Sequence, residues 1–150
     1  MPPALDPRAL TAQTGETDYP EPFRAQVAGR HRLALGDRLG IGNFGVNLTR
    51  LDPGASSALR HWHSRQDEFV YIVEGELTLV TDAGETRLTV GMCAGFPAGV
   101  ADGHRLINRS GQPASYIEVG DRSDGDVIVY SDEDMVWRDG AYRRRDGTSW

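Results

Sequence analysis

The chain has 150 residues with 39% hydrophobic, 25% charged and 8% aromatic content, values of one globular domain with room for a real core. Net charge is −6, and all 16 basic residues are arginine. This excludes a catalytic or Walker-type lysine and makes nucleic acid and anionic membranes poor partners. The single cysteine, Cys93, excludes an intrachain disulfide or a CxxC zinc or redox pair. With no run of about 18 apolar residues and no visible secretory signal, a cytoplasmic location is expected.

Residues 1–18 are Pro-, Ala- and Thr-rich and are read as a flexible lead-in, with a single domain over 19–150. The prolines of Tyr19-Pro20-Glu21-Pro22-Phe23 favour extended backbone. Residues 24–39 are arginine-rich with mixed spacing and fit either short strands or a helical turn. From Gly42 the pattern sharpens: Phe44, Val46 and Leu48 alternate with polar or small residues, as in a half-buried strand. Asp52-Pro53-Gly54 marks a turn, and Phe69–Val73 a short apolar strand. Residues 77–81 and 85–90 flank Asp82-Ala83-Gly84, read as a three-residue hairpin loop. Further strands are expected at 104–108, 114–119 and 126–130, and the tail from Met135 to Trp150 is placed over a sheet edge or a barrel mouth. Turn signals about every 8–12 residues indicate an all-β sandwich or barrel.

The chemistry gathers around three of the four histidines. On a strand, His61 and His63 point to one face while Trp62 points to the other. Glu68 opens the apolar strand five residues later, where an ionised carboxylate needs a partner or a metal. Two imidazoles and a carboxylate suit a divalent transition metal. His104 follows the glycine-rich segment 91–99 and begins another apolar stretch. A His-x-His pair alone says little; the added glutamate and histidine give it weight. Asp67 is the competing carboxylate. His31, between two arginines, reads as a solvated surface residue, and Cys93 as a buried, inert thiol. Strand parity from Glu68 sends Val70 and Ile72 inward and Tyr71 and Val73 outward. Asn47, Arg60, Tyr116, Glu118 and Trp137 could reach a pocket, although such residues are more often structural or exposed.

These motifs resemble the cupin superfamily. Its first motif, a glycine, His-x-His, a glutamate and a further glycine, appears as Gly54, His61, His63, Glu68 and Gly75. Its second appears as Gly91, Pro97, Gly99, His104 and Asn108. Gly54 lies one residue further from His61 than usual. His104 follows Gly99 after four residues instead of two, an insertion that keeps strand parity. The resemblance implies a small antiparallel jelly-roll β-barrel with an N-terminal arm. It also implies one divalent transition metal (Fe, Mn, Ni, Co, Cu or Zn) held by His61, His63, Glu68 and His104. It further implies a homodimer, in which residues 19–28 could add to a partner's sheet. The function expected is that of an enzyme on a small soluble metabolite, with Glu68 as the nameable catalytic group. The reaction would be isomerisation or elimination through a Lewis-acid metal, or dioxygenation with iron. The alternative is a non-catalytic cupin that binds or senses a small ligand or metal. A sugar-phosphate isomerase would need basic groups, and Arg60 and Arg105 are those nearest the motifs.

Overall fold

A computed structural model describes residues 3–150. Thirteen strands follow in chain order: β1 (Gln13–Thr14), β2 (Arg30–Ala34), β3 (Phe44–Leu51), β4 (His61–His63), β5 (Glu68–Glu74), β6 (Glu76–Thr81), β7 (Gly84–Thr89), β8 (Cys93–Phe96), β9 (Arg105–Ile107), β10 (Ala114–Asp121), β11 (Ile128–Tyr130), β12 (Met135–Arg138) and β13 (Ala141–Arg143). One helical turn, α1 (Leu35–Arg38), follows β2. The ambiguous segment 24–39 therefore holds both a strand and a helical turn.

One wall of the barrel is a six-stranded sheet in the order β1-β2-β3-β10-β5-β8. Opposite it lie a four-stranded sheet, β13-β12-β11-β4, and a three-stranded sheet, β7-β6-β9. These two are joined by single antiparallel bridges, His61 to His104 and Ser56 to Ile107. Every strand pair is antiparallel, and the fold is a jelly-roll.

The larger core lies inside the barrel and includes Leu51, Val70, Ile72, Leu77, Leu88, Leu106 and Tyr116. Val70 and Ile72 are buried, whereas Phe69, Tyr71 and Val73 are exposed, as parity requires. Each fully buried Leu or Ile contributes about 1.5–3 kcal/mol of burial. A second core joins Tyr19, Phe23 and Val27 to Leu59, Tyr130 and Met135. Residues Phe23–Val27 form a 3₁₀ turn, not a strand, and their apolar side chains are spent against this chain's own four-stranded sheet. The tail packs there too, through Tyr142 against Tyr19 and Trp150 against Phe23.

Two local expectations change. The β6–β7 register pairs Thr81 with Gly84, so the loop holds only Asp82 and Ala83, and Gly84 takes a φ of +117° inside the ladder. Cys93 is exposed, because it pairs with Tyr71 on the outer face of the sheet. No helix among the described residues is long and apolar enough to cross a membrane.

Candidate metal centre

Backbone pairing brings the two motifs together. His61 and His104 are direct antiparallel partners, with His104 N–H donating to His61 O (2.9 Å) and His61 N–H to His104 O (3.2 Å). Directly opposite residues share a face, so both rings point into the barrel. His63 follows two residues on. Its carbonyl accepts from the N–H of Gly99 (2.8 Å), which ties the glycine-rich segment to β4. Glu68 reaches in from the facing wall at the start of β5, opposite Phe96 of β8. Phe96 stacks on His104 with centroids 3.6 Å apart and planes 2° apart, fixing that ring.

Three imidazoles surround one carboxylate. Glu68 Oε2 lies 2.6 Å from His104 Nε2 and 3.5 Å from His61 Nε2, and Oε1 lies 3.3 Å from His63 Nε2. His61, Glu68 and His104 each offer a ligand atom within 4.8 Å of the others. Outer hydrogen bonds aim the rings. His61 Nδ1 donates to Leu59 O (2.7 Å), and His63 Nδ1 to the buried Asp126 carboxylate (2.6 Å). Both rings thus aim Nε2 inward, the nitrogen that a metal would take in place of a proton. Asp126 is itself held by Arg65 N–H (2.9 Å) and Ser64 Oγ (3.3 Å). Asp67 is turned away, accepting from Ala98 N–H.

The electrostatics match this arrangement. Burial opposes charge on Glu68, but the three imidazoles outweigh it and hold the carboxyl well below its usual range. Burial disfavours protonated His63 too, yet the Glu68 and Asp126 carboxylates push it up to about 9. Burial lowers His104. The proton that His63 is driven to hold stands where a cation would serve. Within the protein, the buried Nε2 of His63 and Nδ1 of His104 have no hydrogen-bond partner. The orphaned His63 Nε2 beside the Glu68 carboxylate, in a borderline N/O donor set, fits a divalent transition metal.

The cluster opens into a cavity of about 670 Å³, in the range of small-molecule sites. Asn47, Tyr116 and Glu118 line it, as do Tyr19, Tyr130 and Tyr142. Arg60 does not: it is held by Asp82 and Asp132, and Arg105 bonds Gln26. The cavity's arginines are instead Arg30 and Arg32 on β2 and Arg122 after β10. Asp126 and the β2 arginines were missed by sequence reading. Nothing in the spacing links Asp126 to His63, and the alternation of β2 is inverted, with arginines on its inner face. His31 is half-buried and tied to Thr14 (2.9 Å) and Asp52 (2.9 Å), well apart from the cluster's contacts.

Glu118 Oε1 accepts from Asn47 Nδ2 (3.0 Å) and Thr49 Oγ1 (3.2 Å), and burial raises its proton affinity against these donors. Such a carboxyl ionises at an ordinary pH when unfolded and resists ionising when folded. Stability is therefore lost as pH rises through the unfolded value toward the folded one. Glu118→Gln keeps the acceptor and removes the charge. Its melting temperature should exceed the parent's near about pH 8, with no advantage near about pH 4, read by calorimetry across pH. Identical profiles for both proteins would contradict this.

The model of the cupin domain matches residues 47–120. A sugar phosphate isomerase of a cupin superfamily from Silicibacter pomeroyi is 43% identical, covering 99% of this chain and 96% of that one, with a TM-score of 0.93. A candidate sugar phosphate isomerase from Acidithiobacillus ferrooxidans is 28% identical over 76% of this chain and 74% of that one, with a TM-score of 0.70. The polyketide cyclase RemF from Streptomyces resistomycificus shares the fold at 19% identity, covering 81% of this chain and 80% of that one, with a TM-score of 0.66. No curated protein matches the chain.

Proposed function

The chain belongs to the cupin superfamily, and from that premise we propose that it is a metal-dependent isomerase acting on a small sugar phosphate. The observation that carries the reading is the cluster of His61, His63, His104 and Glu68, of which His61, Glu68 and His104 line an open cavity. The likeness to the Silicibacter protein, called a sugar phosphate isomerase, supplies the reaction class.

His61, His63, Glu68 and His104 would hold one divalent metal, whose Lewis acidity makes the hydrogen beside a substrate carbonyl easier to remove. The protein's own groups do the rest. Asp126 and the Leu59 carbonyl keep the His63 and His61 rings in one tautomer and one orientation. Aldose–ketose interconversion moves a proton between neighbouring carbons and needs a carrier in the cavity. Glu68, surrounded by imidazoles, is suited to staying ionised as a ligand. We assign the proton transfer to Glu118, which lines the same cavity, is anchored through Oε1 and is tuned by burial toward holding a proton.

The test is solvent-deuterium exchange. Metal-loaded protein is incubated in D₂O with aldose and ketose phosphates of three to six carbons and followed by proton NMR. Deuterium should enter beside the carbonyl of one aldose–ketose pair, and the pair should interconvert. If no pair exchanges or interconverts with stoichiometric metal bound, the isomerase reading fails and a binding cupin remains.

For assembly we propose a homodimer through the outer face of the six-stranded sheet. Phe69, Tyr71 and Val73 stand there 40, 43 and 44% exposed, beside Cys93. Sedimentation equilibrium should give twice the 16.4 kDa chain mass, and Tyr71→Arg should return it to one.

A further inference from the structure

We propose that Arg30 and Arg32 form a phosphate-binding subsite on the inner face of β2, across the cavity from the histidine cluster. It rests on the sugar-phosphate reading and names the part of the protein that would recognise the phosphate.

The placement follows from register. Arg30 pairs with Leu51, Arg32 with Thr49 and Ala34 with Asn47. Leu51 and Thr49 are fully buried, so these positions face the barrel interior and the alternate residues, His31 and Leu33, face out. Both arginines line the cavity that holds His61, Glu68 and His104. An inner strand face normally carries apolar side chains. Two adjacent cations there call for an electrostatic explanation.

No carboxylate supplies it. Among the described residues, neither Arg30 nor Arg32 has an acidic oxygen within salt-bridge distance. Arg60, Arg87, Arg109 and Arg122 by contrast are each taken by an Asp or Glu. Arg30 is held by neutral acceptors, donating through Nη1 to Ser57 O (2.6 Å) and through Nη2 to Glu16 O (2.8 Å). These bonds orient the guanidinium without neutralising it. Glu118 is the acidic group on the neighbouring inner positions, but its Oε1 is engaged by Asn47 and Thr49. Burial also keeps it reluctant to carry charge. The pair is thus half-buried, with Arg30 oriented, Arg32 without a hydrogen-bond partner among the described residues, and neither closed into an ion pair, although both act on Glu118 through space.

Its geometry suits a phosphate monoester. Side chains two apart on a strand lie about 6.6 Å from each other along the chain, close enough for both guanidinium forks to reach one tetrahedral dianion. Arginine's planar donors match phosphate oxygens better than a point charge would. A substrate anchored there would extend across the cavity toward the cluster.

The probe is inorganic phosphate, titrated calorimetrically into chelator-treated protein so that metal cannot bind it. Phosphate should bind the parent, and Arg32→Ala should weaken it about tenfold or more, with Arg32→Lys recovering part of the loss. Arg122→Ala, whose guanidinium is already paired with Asp37, should leave binding unchanged. Arg32 carries the test because its side chain makes no hydrogen bond among the described residues, so its loss does not threaten folding as loss of Arg30 would. Sulfate should compete; competition by acetate at equal concentration would instead mark a carboxylate site and overturn the phosphate assignment. Absence of phosphate binding to the parent, or unchanged binding in Arg32→Ala, would also overturn it. His61→Ala separates the two readings: it should lose metal and keep phosphate affinity. Turnover of a sugar phosphate without this subsite would sink the subsite alone, whereas phosphate binding without any turnover would sink the isomerase alone.

Discussion

His63→Ala is expected to purify with less than about a tenth of the metal that the parent protein carries, measured by inductively coupled plasma mass spectrometry after chelator-free preparation. His63 Nε2 is buried, faces Glu68 Oε1 at 3.3 Å and has no hydrogen-bond donor or acceptor of its own. Removing the ring deletes a donor atom and also strips Asp126 of its shortest partner, at 2.6 Å. Loss of an outer partner alone typically weakens a metal site about 10–100-fold. Asp126→Asn should therefore fall in that range and His63→Ala beyond it. His31→Ala, which touches Thr14 and Asp52 and none of the cluster, should keep the full equivalent. A His63→Ala protein that holds metal as tightly as the parent would remove His63 from the ligand set, leaving the closer trio of His61, Glu68 and His104.

Gly75→Ala should cost about 2–5 kcal/mol of folding stability and lower the melting temperature by several degrees per kcal/mol. Gly75 sits between β5 and β6 with a φ of +72°. An added Cβ would lie 2.8 Å from Pro113 O and 3.0 Å from Ala114 Cα and Cβ, all in or next to backbone and unable to swing aside. Two costs add: about 1–2 kcal/mol for an L residue in the left-handed region, and an overpacking term of about 1–3 kcal/mol as β10 is displaced. Gly54, with a φ of +84° but open space at its Cβ, is the control and should show the first cost alone. Denaturant melts of the two variants would separate the terms; equal losses at both positions would show that crowding against β10 contributes nothing.

The fold was legible where one face of a strand is apolar. Alternation placed β5, β6 and β7 within a residue or two of their ends, because Val70, Ile72, Leu77 and Leu88 are buried against one another; β3 was placed too, but Thr49 and Leu51 are its buried residues, not the alternating Phe44, Val46 and Leu48. Parity put His61 and His63 on one face, and the resemblance to the two cupin motifs added Glu68 and His104 to the set. What escaped is where function or context overrides that pattern. β2 turns arginines inward and so lacks an apolar stripe. β8 reads Cys-Ala-Gly-Phe inside a glycine-rich run, too short and too small-sided to signal a strand. Asp126 touches His63 across 63 residues of chain, a pairing made only when β11 lies against β4. Cys93, read as a buried thiol, is exposed because its pairing with Tyr71 turns it outward.

That outward thiol gives the molecule a convenient chemistry of its own. With one cysteine and no lysine, a maleimide dye attaches at a single address and amine reagents spare every side chain. The address lies on the edge strand β8, next to Tyr71 of the exposed apolar patch. Alkylation kinetics at Cys93 therefore become a direct gauge of how much of that patch is covered at a given protein concentration: slowing on concentration reports self-association, and a constant rate reports a face left open to solvent.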